Sequence, residues 1–212
     1  MEILVSGARS GLGKYLKRLL KSDEFNRDCV IDEFKFKKYD VIIHCAYDFT
    51  AEVNEIESNT ELTRKLLGIE HKHFIYISSV DVYPSKSIGS EDLNISYLDL
   101  NNDYSISKLM SESLVKLYGI HPLILRPSVM LGLDMRENSL LKMFSKGPSV
   151  LTLSSNSSFN YVLHEDVGSF IEHCITNKIV GIYNVASKKN ITLIDIKDEH
   201  ELHDIGFGKY FY

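Results

Sequence analysis

The amino-terminal stretch constrains the fold more than any other part of the chain. A short apolar run, Glu2–Ser6, leads into Gly7-Ala8-Arg9-Ser10-Gly11-Leu12-Gly13, and an amphipathic segment follows as far as Leu20. A strand, a tight glycine turn and a helix in this order present backbone N–H groups at a helix start, where they bind a pyrophosphate. Within this turn the expected cofactor-binding residues are Gly7, Arg9, Ser10, Gly11, Leu12 and Gly13.

The rest of the sequence alternates apolar strand patterns with helical ones. Strands are predicted at 28–31, 40–46, 74–77, 122–125 and 181–185, and helices over 52–67, from Tyr104 to Gly119, over 136–146 and from His164. This alternation is typical of an α/β protein with a doubly wound, Rossmann-like, mostly parallel sheet. The short link Phe34–Tyr39 leaves no room for another strand and helix, so we expect the sheet to be trimmed at this edge.

Asp32 follows the predicted strand 28–31, some 19 residues past Gly13. At this spacing a carboxylate accepts hydrogen bonds from the adenosine ribose, which favours NAD. Arg9 could instead pair with the extra phosphate of NADP, so NADP remains possible. Asp32 is alternatively a surface acid of the Asp32-Glu33 pair.

The domain boundaries follow from the change of character beyond Gly132. We expect a dinucleotide-binding domain over 1–128, completed by about 162–187, and a small substrate-binding part over about 129–161 and 188–212. Its pieces look too short for a second hydrophobic core, which predicts a small carboxyl-terminal lid over the sheet.

Tyr104 and Lys108 are four residues apart at the start of a predicted helix and therefore share one face. A phenol has a pKa of about 10, which must fall by roughly 3 for it to act as a base near neutral pH. An ammonium about 4 Å away supplies free energy of that order. The same spacing also arises by chance, so it indicates a catalytic pair only together with the motifs around it.

Ser78 and Ser79 are at the end of the predicted strand 74–77. Parallel sheets bind ligands at this position, although serines there often only form turns.

Composition excludes several classes of partner and site. A net charge of -5 gives no reason to expect nucleic acid, and no apolar run is long enough to span a bilayer. We therefore expect a cytoplasmic protein with no membrane partner. The three cysteines are far apart and lie in apolar surroundings, and the eight histidines show no metal-ligand spacing, so neither disulfides nor a metal site are expected.

Seven motifs, taken together, resemble those of the extended short-chain dehydrogenase/reductases. They are the glycine turn, Asp40–Ala46, Ser78-Ser79-Val80-Asp81-Val82-Tyr83, Tyr104–Lys108, Arg126-Pro127-Ser128, His164-Glu165-Asp166-Val167 and Tyr183-Asn184-Val185. The similarity is greatest to the NAD-dependent epimerase/dehydratase family acting on nucleotide sugars. It implies a nicotinamide dinucleotide, a nucleotide-sugar substrate and a homodimer formed through the helices at 52–67 and Tyr104–Gly119.

The resemblance also implies roles for individual residues. Ser79 would bond the substrate oxygen, Tyr104 would be the acid/base, and Lys108 would hold the nicotinamide ribose and lower the Tyr104 pKa. Further expected cofactor contacts are Cys45, Ala46, Asn59, Pro127 and Val129. Expected substrate contacts are Asp81, Tyr83, Arg136 and Asn138.

Departures from the family pattern bear on the reaction. The glycines follow Gly-x-x-x-Gly-x-Gly instead of the usual Gly-x-x-Gly-x-x-Gly, and Pro84 replaces a Gly. Dehydratases of the family place two acids after the hydroxyl residue, whereas this chain has Val80 and Asp81, which disfavours dehydration. We expect an epimerase first, because Asp32 favours NAD; the alternatives are an NADPH-dependent ketoreductase of a keto sugar or small carbonyl, and a non-catalytic dinucleotide-binding regulator.

Overall fold

The computed structural model describes residues 1–34, 36–49, 54–84, 87 and 89–211. The first part of the chain alternates strands and helices, in the order β1 (Ile3–Ser6), α1 (Gly11–Leu20), β2 (Asp23–Phe25), β3 (Lys38–His44), α2 (Glu55–Leu67), β4 (Glu70–Ile77), α3 (Asp103–Tyr118) and β5 (Leu123–Pro127). The rest of the chain contains β6 (Val129–Leu131), α4 (Ser139–Met143), β7 (Ser149–Val150), β8 (Ser158–Phe159), β9 (Tyr161–Leu163), α5 (His164–Asn177), β10 (Gly181–Val185), β11 (Ile191–Thr192), α6 (Leu193–Glu199) and β12 (Ile205–Gly206).

Six of these strands form one parallel sheet in the order β10-β5-β4-β3-β1-β2. Its central strands are buried on both faces, as expected where helices cover both sides. One apolar layer lies between the sheet and α1 and α5, around Leu16, Ile43 and Ile171. The other includes Leu66 of α2 and Val115 of α3. The predicted doubly wound α/β fold is confirmed, and β2 is the edge strand, as the predicted trimming requires.

The prediction of a strand over 28–31 is wrong. The second strand is Asp23–Phe25, and Asp32 lies in a short 3-10 helix, Ile31–Glu33, beyond it. The reason is that β2 is only three residues long, and Glu24 and Phe25 pair with Val5 and Ser6 of β1. The apolar Val30 and Ile31, which suggested a strand, are instead the N-cap residue and the first residue of this 3-10 helix.

Two helix boundaries also differ from their predictions. The helix predicted over 52–67 is observed from Glu55, where Asn54 accepts a hydrogen bond from the Glu57 N–H and caps its start. Residues 52 and 53 lie outside the described part of the chain. The helix predicted over 136–146 is only Ser139–Met143, because Asn138 caps it in the same way.

The carboxyl-terminal part contains a separate apolar cluster, contrary to the expectation that its pieces are too short for one. Met143, Leu151, Phe159, Leu193 and Ile196 are buried together there. Short strand pairs, β6 with β9, β8 with β11 and β7 with β12, hold the segments in place around this cluster. Several short pieces therefore share one small core.

Candidate active site

The glycine turn after β1 is packed directly against the ends of two neighbouring strands. The Gly7 N–H donates to the Phe25 carbonyl at 3.1 Å. A Cβ on Gly7, whose φ is 73°, would come within 2.8 Å of Ala46, and a Cβ on Gly13 within 2.4 Å of the Gly7 carbonyl oxygen. These two glycines are required by close packing of the backbone.

The start of α1 is suited to an anionic group. Ser10 is the N-cap residue, and among the described residues its side chain makes no capping hydrogen bond. Gly11 has a φ of 55°, and a Cβ there would meet nothing within 4 Å. The Gly11 N–H already donates a hydrogen bond, to the Asp134 carbonyl at 2.7 Å. Gly11, Leu12 and Gly13 line a cavity, so the residues present fit the pyrophosphate of a dinucleotide.

Two cavities adjoin at the glycine turn. The β2 cavity, of about 490 Å³, lies at the carboxyl ends of β1 and β2; of the predicted residues, its wall includes Gly7, Arg9, Ser10, Ala46 and Arg136. The Tyr104 cavity, of about 240 Å³, includes Gly7, Ser10, Gly11, Leu12, Gly13, Cys45, Tyr104, Lys108, Arg136 and Asn138. Gly7, Ser10, Tyr47 and Arg136 belong to both walls. Together the cavities cross the carboxyl edge of the sheet, where open parallel sheets bind ligands.

Helix α3 and the end of β4 bring the predicted catalytic side chains together. Asn102 caps α3, accepting from the Ser105 N–H at 2.8 Å, and this fixes the helix start beside the sheet. The Ser79 hydroxyl lies close enough to the Tyr104 phenol to act on its pKa. Lys108, only 4% exposed, donates to the Ile77 carbonyl at 2.8 Å. Tyr104 and Lys108 thus line one cavity and Ser79, which is in neither described cavity wall, lies next to the phenol, an arrangement that suits general acid/base chemistry.

The electrostatics of this group differ from the expectation of a lowered Tyr104 pKa. Burial raises the pKa of Tyr104 to about 12, against which the Ser79 hydroxyl and the charge of Arg136 act in the lowering direction. The Lys108 ammonium lies 5.7 Å from the centre of the Tyr104 ring. Burial lowers the Lys108 pKa to about 8. In the protein alone, the predicted lowering is therefore wrong, and Tyr104 is protonated at neutral pH.

An aromatic pair after β3 also contributes to the site and was missed in the sequence. The Phe49 ring stacks on Tyr104 with 5.8 Å between centres and an interplanar angle of 10°. Tyr47 meets Tyr104 edge-on, and its hydroxyl contacts Ser107 at 3.0 Å. Arg136 lies 5.0 Å from the Phe49 ring centre. The position of Tyr47 and Phe49, just past the carboxyl end of a central strand, could have identified them.

Asn59 is a supporting residue behind the cavities. Its side chain accepts from the Asp48 N–H at 2.8 Å and donates to the Asp48 and Glu55 carbonyls. It is 4% exposed and is absent from both described cavity walls. Asn59 therefore fixes the backbone that follows β3 and, through it, Tyr47.

Tyr83 is placed away from the expected substrate contact. Its hydroxyl accepts from Arg126 at 2.8 Å and donates to Asn184 at 2.9 Å. Arg126 also forms a bidentate pair with Glu112, at 2.9 and 2.7 Å, and Ser78 donates to the same carboxylate at 2.6 Å. Tyr83 thus belongs to a buried polar network that joins α3, β4, β5 and β10.

The remaining predicted residues lie at several places around the site. Asp81 accepts a hydrogen bond from Ser79 at 3.1 Å. Asn138 caps α4 at the wall of the Tyr104 cavity. Pro127 ends β5 and Val129 begins β6; neither is in either described cavity wall, nor is the exposed Asp32.

The described ranges hold no group of three or more His, Cys, Asp or Glu side chains placed to bind a metal ion. All three cysteines are free thiols. No helix in the same ranges is long and apolar enough to cross a membrane.

Comparison with known structures gives many similar folds at low sequence identity. UDP-N-acetylglucosamine 4-epimerase from Bacillus cereus is 16% identical with a TM-score of 0.79, over 100% of this chain and 87% of that one. A dTDP-4-dehydrorhamnose reductase from Clostridium acetobutylicum is 19% identical with a TM-score of 0.76, over 100% and 84%. RMD from Pseudomonas aeruginosa, complexed with NADPH, is 19% identical with a TM-score of 0.78, over 100% and 87%. At these identities the likeness shows the fold alone.

No curated protein matches the chain. A family model does, and it covers residues 3–186, from β1 through β10 to the residue after it. This range includes the glycine turn, Ser79, Tyr104 and Lys108. The chain therefore belongs to the NAD dependent epimerase/dehydratase family.

Proposed function

We propose that the protein is an NAD(P)-dependent enzyme that transfers a hydride to or from a hydroxyl or keto group of a nucleotide-linked sugar. The observation that carries the proposal is that Tyr104 and Lys108 line the same cavity as the glycine turn, with Ser79 next to Tyr104. The turn and the phenol are thereby spaced along one continuous groove, which suits a dinucleotide at one end and a reacting sugar carbon at the other.

The roles of the side chains follow from their positions. The bound nicotinamide ring would supply or accept the hydride. Ser79 donates a hydrogen bond to the substrate oxygen, and Tyr104 transfers a proton at its phenol oxygen. The buried Lys108 ammonium would hydrogen-bond the nicotinamide ribose and would favour the phenolate when Tyr104 acts as a base. Phe49 and Tyr47 cover the phenol and exclude water around it.

The substrate class rests on the family and on the similar structures. Two of the similar proteins named above carry names that specify a UDP-linked and a dTDP-linked sugar. The Tyr104 cavity also contains Arg136 and Asn138, which can bind phosphate and hydroxyl oxygens. A homodimer and a cytoplasmic location form part of the same proposal.

Among the finer reactions, we propose ketoreduction ahead of epimerisation, because the structure does not place Asp32 at a strand end. The expectation of an epimerase rested on Asp32, which lies past the end of β2 in a 3-10 helix. With Val80 beside Asp81, dehydration remains disfavoured.

Turnover with a panel of nucleotide-linked sugars and keto sugars tests the proposal. Stoichiometric loss of the absorbance of reduced cofactor would establish a reductase. A changed sugar with no net cofactor conversion would establish an epimerase. If the protein binds dinucleotide but converts none of the panel, the catalytic proposal fails and the regulator alternative gains support.

Tyr104→Phe should keep the dinucleotide affinity and lower kcat roughly 100-fold to 10,000-fold, as is typical of losing a general acid/base. Only the proton-carrying oxygen is removed, so the ring contact with Phe49 remains. Tyr118→Phe, at the exposed end of the same helix, is the matched control and should leave kcat unchanged. Full turnover by Tyr104→Phe would refute the assigned role.

A further inference from the structure

The corrected position of β2 changes which residue lies at the adenosine end of the groove. Phe25 is the last residue of β2 and pairs with Ser6, immediately before the glycine turn. The next residue, Asn26, lines the β2 cavity. This strand end is where a carboxylate would accept hydrogen bonds from the ribose hydroxyls of NAD. An amide there carries no charge and does not repel a phosphate.

The β2 cavity is rich in positive charge. Its described wall contains four cationic side chains, Arg9, Arg27, Lys65 and Arg136, and one carboxylate, Asp48. Arg136 belongs to the walls of both cavities, so it can bind the pyrophosphate that every nicotinamide dinucleotide carries. Arg27 follows β2 and Lys65 comes from α2, and these two cations have no such common role.

The loop after β2 holds its cations in place at the cavity. Asn26 accepts from the Asp28 N–H at 3.0 Å, and its carbonyl accepts from the Cys29 N–H at 3.0 Å. Arg9 pairs with Asp28 across this loop. Both side chains of that pair are more than half exposed, so water weakens the pair and a phosphate can compete for Arg9. Within the described ranges, Arg27 forms no ion pair and is exposed.

We infer that Arg9, Arg27 and Lys65 bind the 2′-phosphate of NADP(H), so that this chain uses NADP(H) in preference to NAD(H). The inference rests on the proposed function and specifies its cofactor. Apolar residues of the same wall, Ile31 and Leu62, would lie against the adenine. A preference for the reduced, phosphorylated cofactor also accords with ketoreduction.

Titration of the purified protein with NADPH and with NADH tests the inference directly. A charge-assisted hydrogen bond to phosphate corresponds to an affinity gain of about 10-fold or more, so NADPH should bind at least about 10-fold more tightly. Titration with 2′,5′-ADP and 5′-AMP isolates the adenosine end, and 2′,5′-ADP should bind more tightly by a similar factor. NADH binding as tightly as NADPH would overturn the inference and leave the proposed function standing, whereas binding of neither would overturn both.

Three variants locate the phosphate. Arg27→Gln and Lys65→Gln should each weaken NADPH binding about 10-fold and leave NADH binding unchanged. Arg64→Gln removes a neighbouring exposed cation of α2 that is outside the cavity wall, and it should change neither affinity. Equal losses for NADPH and NADH in both Arg27→Gln and Lys65→Gln would overturn the assignment. All three side chains are exposed, and thermal unfolding of each variant verifies its folding.

Discussion

At the scale of single residues, His44 shows how a polar group is kept in the core beside the site. It is 1% exposed at the end of β3, and its ring nitrogens meet the Ser6 hydroxyl at 2.8 Å and the Thr63 hydroxyl at 3.1 Å. Burial lowers its pKa to about 3, and the Lys108 ammonium acts in the same direction. His44 is therefore neutral in the folded protein at neutral pH.

The His44 pKa predicts a loss of stability in mild acid. Unfolded histidine has a pKa of about 6.5, so between about pH 6.5 and pH 3 the unfolded chain binds more protons than the folded one. The free energy of unfolding should therefore fall as pH drops through this window, by about 2 kcal/mol at about pH 5 from this residue. Urea denaturation at neutral pH and at about pH 5 measures this change in the free energy of unfolding.

His44→Gln should reduce this pH dependence, because Gln has no proton to bind in the window. His173→Gln, at an exposed position of α5, is the control and should retain the wild-type slope. An undiminished acid loss in His44→Gln would show that His44 is not its source.

The residues of the proposed catalytic group could be selected from the sequence because each lies at a fixed offset from a strong local pattern. Tyr104 and Lys108 begin an amphipathic helix, and Ser79 ends a buried strand. Tyr47 and Phe49 were missed because they follow β3 in irregular structure with no periodicity. The raised Tyr104 pKa could not be predicted either, since burial by Phe49 and other side chains depends on tertiary packing.

At the scale of elements, the buried Glu112–Arg126 pair joins α3 to β5. The side chains are 0% and 2% exposed, and Tyr83, Ser78 and Asn184 complete their network. The whole network lies under the end of β4 that carries Ser79. Its geometry therefore fixes how α3 presents Tyr104 to the sheet.

Glu112→Ala should destabilise the fold by about 3–5 kcal/mol, because it leaves the Arg126 charge buried without its partner. Chemical denaturation measures the change in the free energy of unfolding. Glu172→Ala, at an exposed position of α5, should cost less than about 0.5 kcal/mol. A loss for Glu112→Ala as small as that of the control would contradict a structural role for the pair.

The error over β2 has a specific cause at this scale. Val30 and Ile31 are more typical of a strand than Asp23, Glu24 and Phe25, yet the latter three pair with β1. An edge strand of three residues gains its stability from one neighbouring strand and from Phe25 packing against Phe34, which is not visible locally. The position of Asp32 was wrong for the same reason.

At the scale of the whole molecule, two apolar layers sandwich the sheet and a separate small cluster stabilises the carboxyl-terminal part. Helix α3 packs against α2 and buries the side that carries Lys108 and Glu112. Another side leaves Met110 and Leu117, seven residues apart on one stripe, 38% and 73% exposed. Such apolar exposure on a helix favours an interface.

The expected assembly is a symmetric dimer through α2 and α3, measurable by light scattering at micromolar concentration. Leu117→Glu should shift it toward monomer, because a charge would be buried at the interface. Leu133→Glu, which replaces a fully exposed leucine outside both helices, should leave the mass unchanged. A monomeric wild-type protein would contradict the prediction.

The packing of the glycine turn also affects how mutations there would be seen in a living cell. A side chain at Gly7 or Gly13 would collide with backbone atoms at 2.8 and 2.4 Å, so the strands themselves would have to move. Such variants would unfold more often and be removed by proteolysis. A side chain at Gly11 would meet nothing within 4 Å, at a left-handed backbone cost of roughly 1–2 kcal/mol. Selection would therefore act on Gly7 and Gly13 through the abundance of the folded protein. On Gly11 it would act mainly through the activity of the protein.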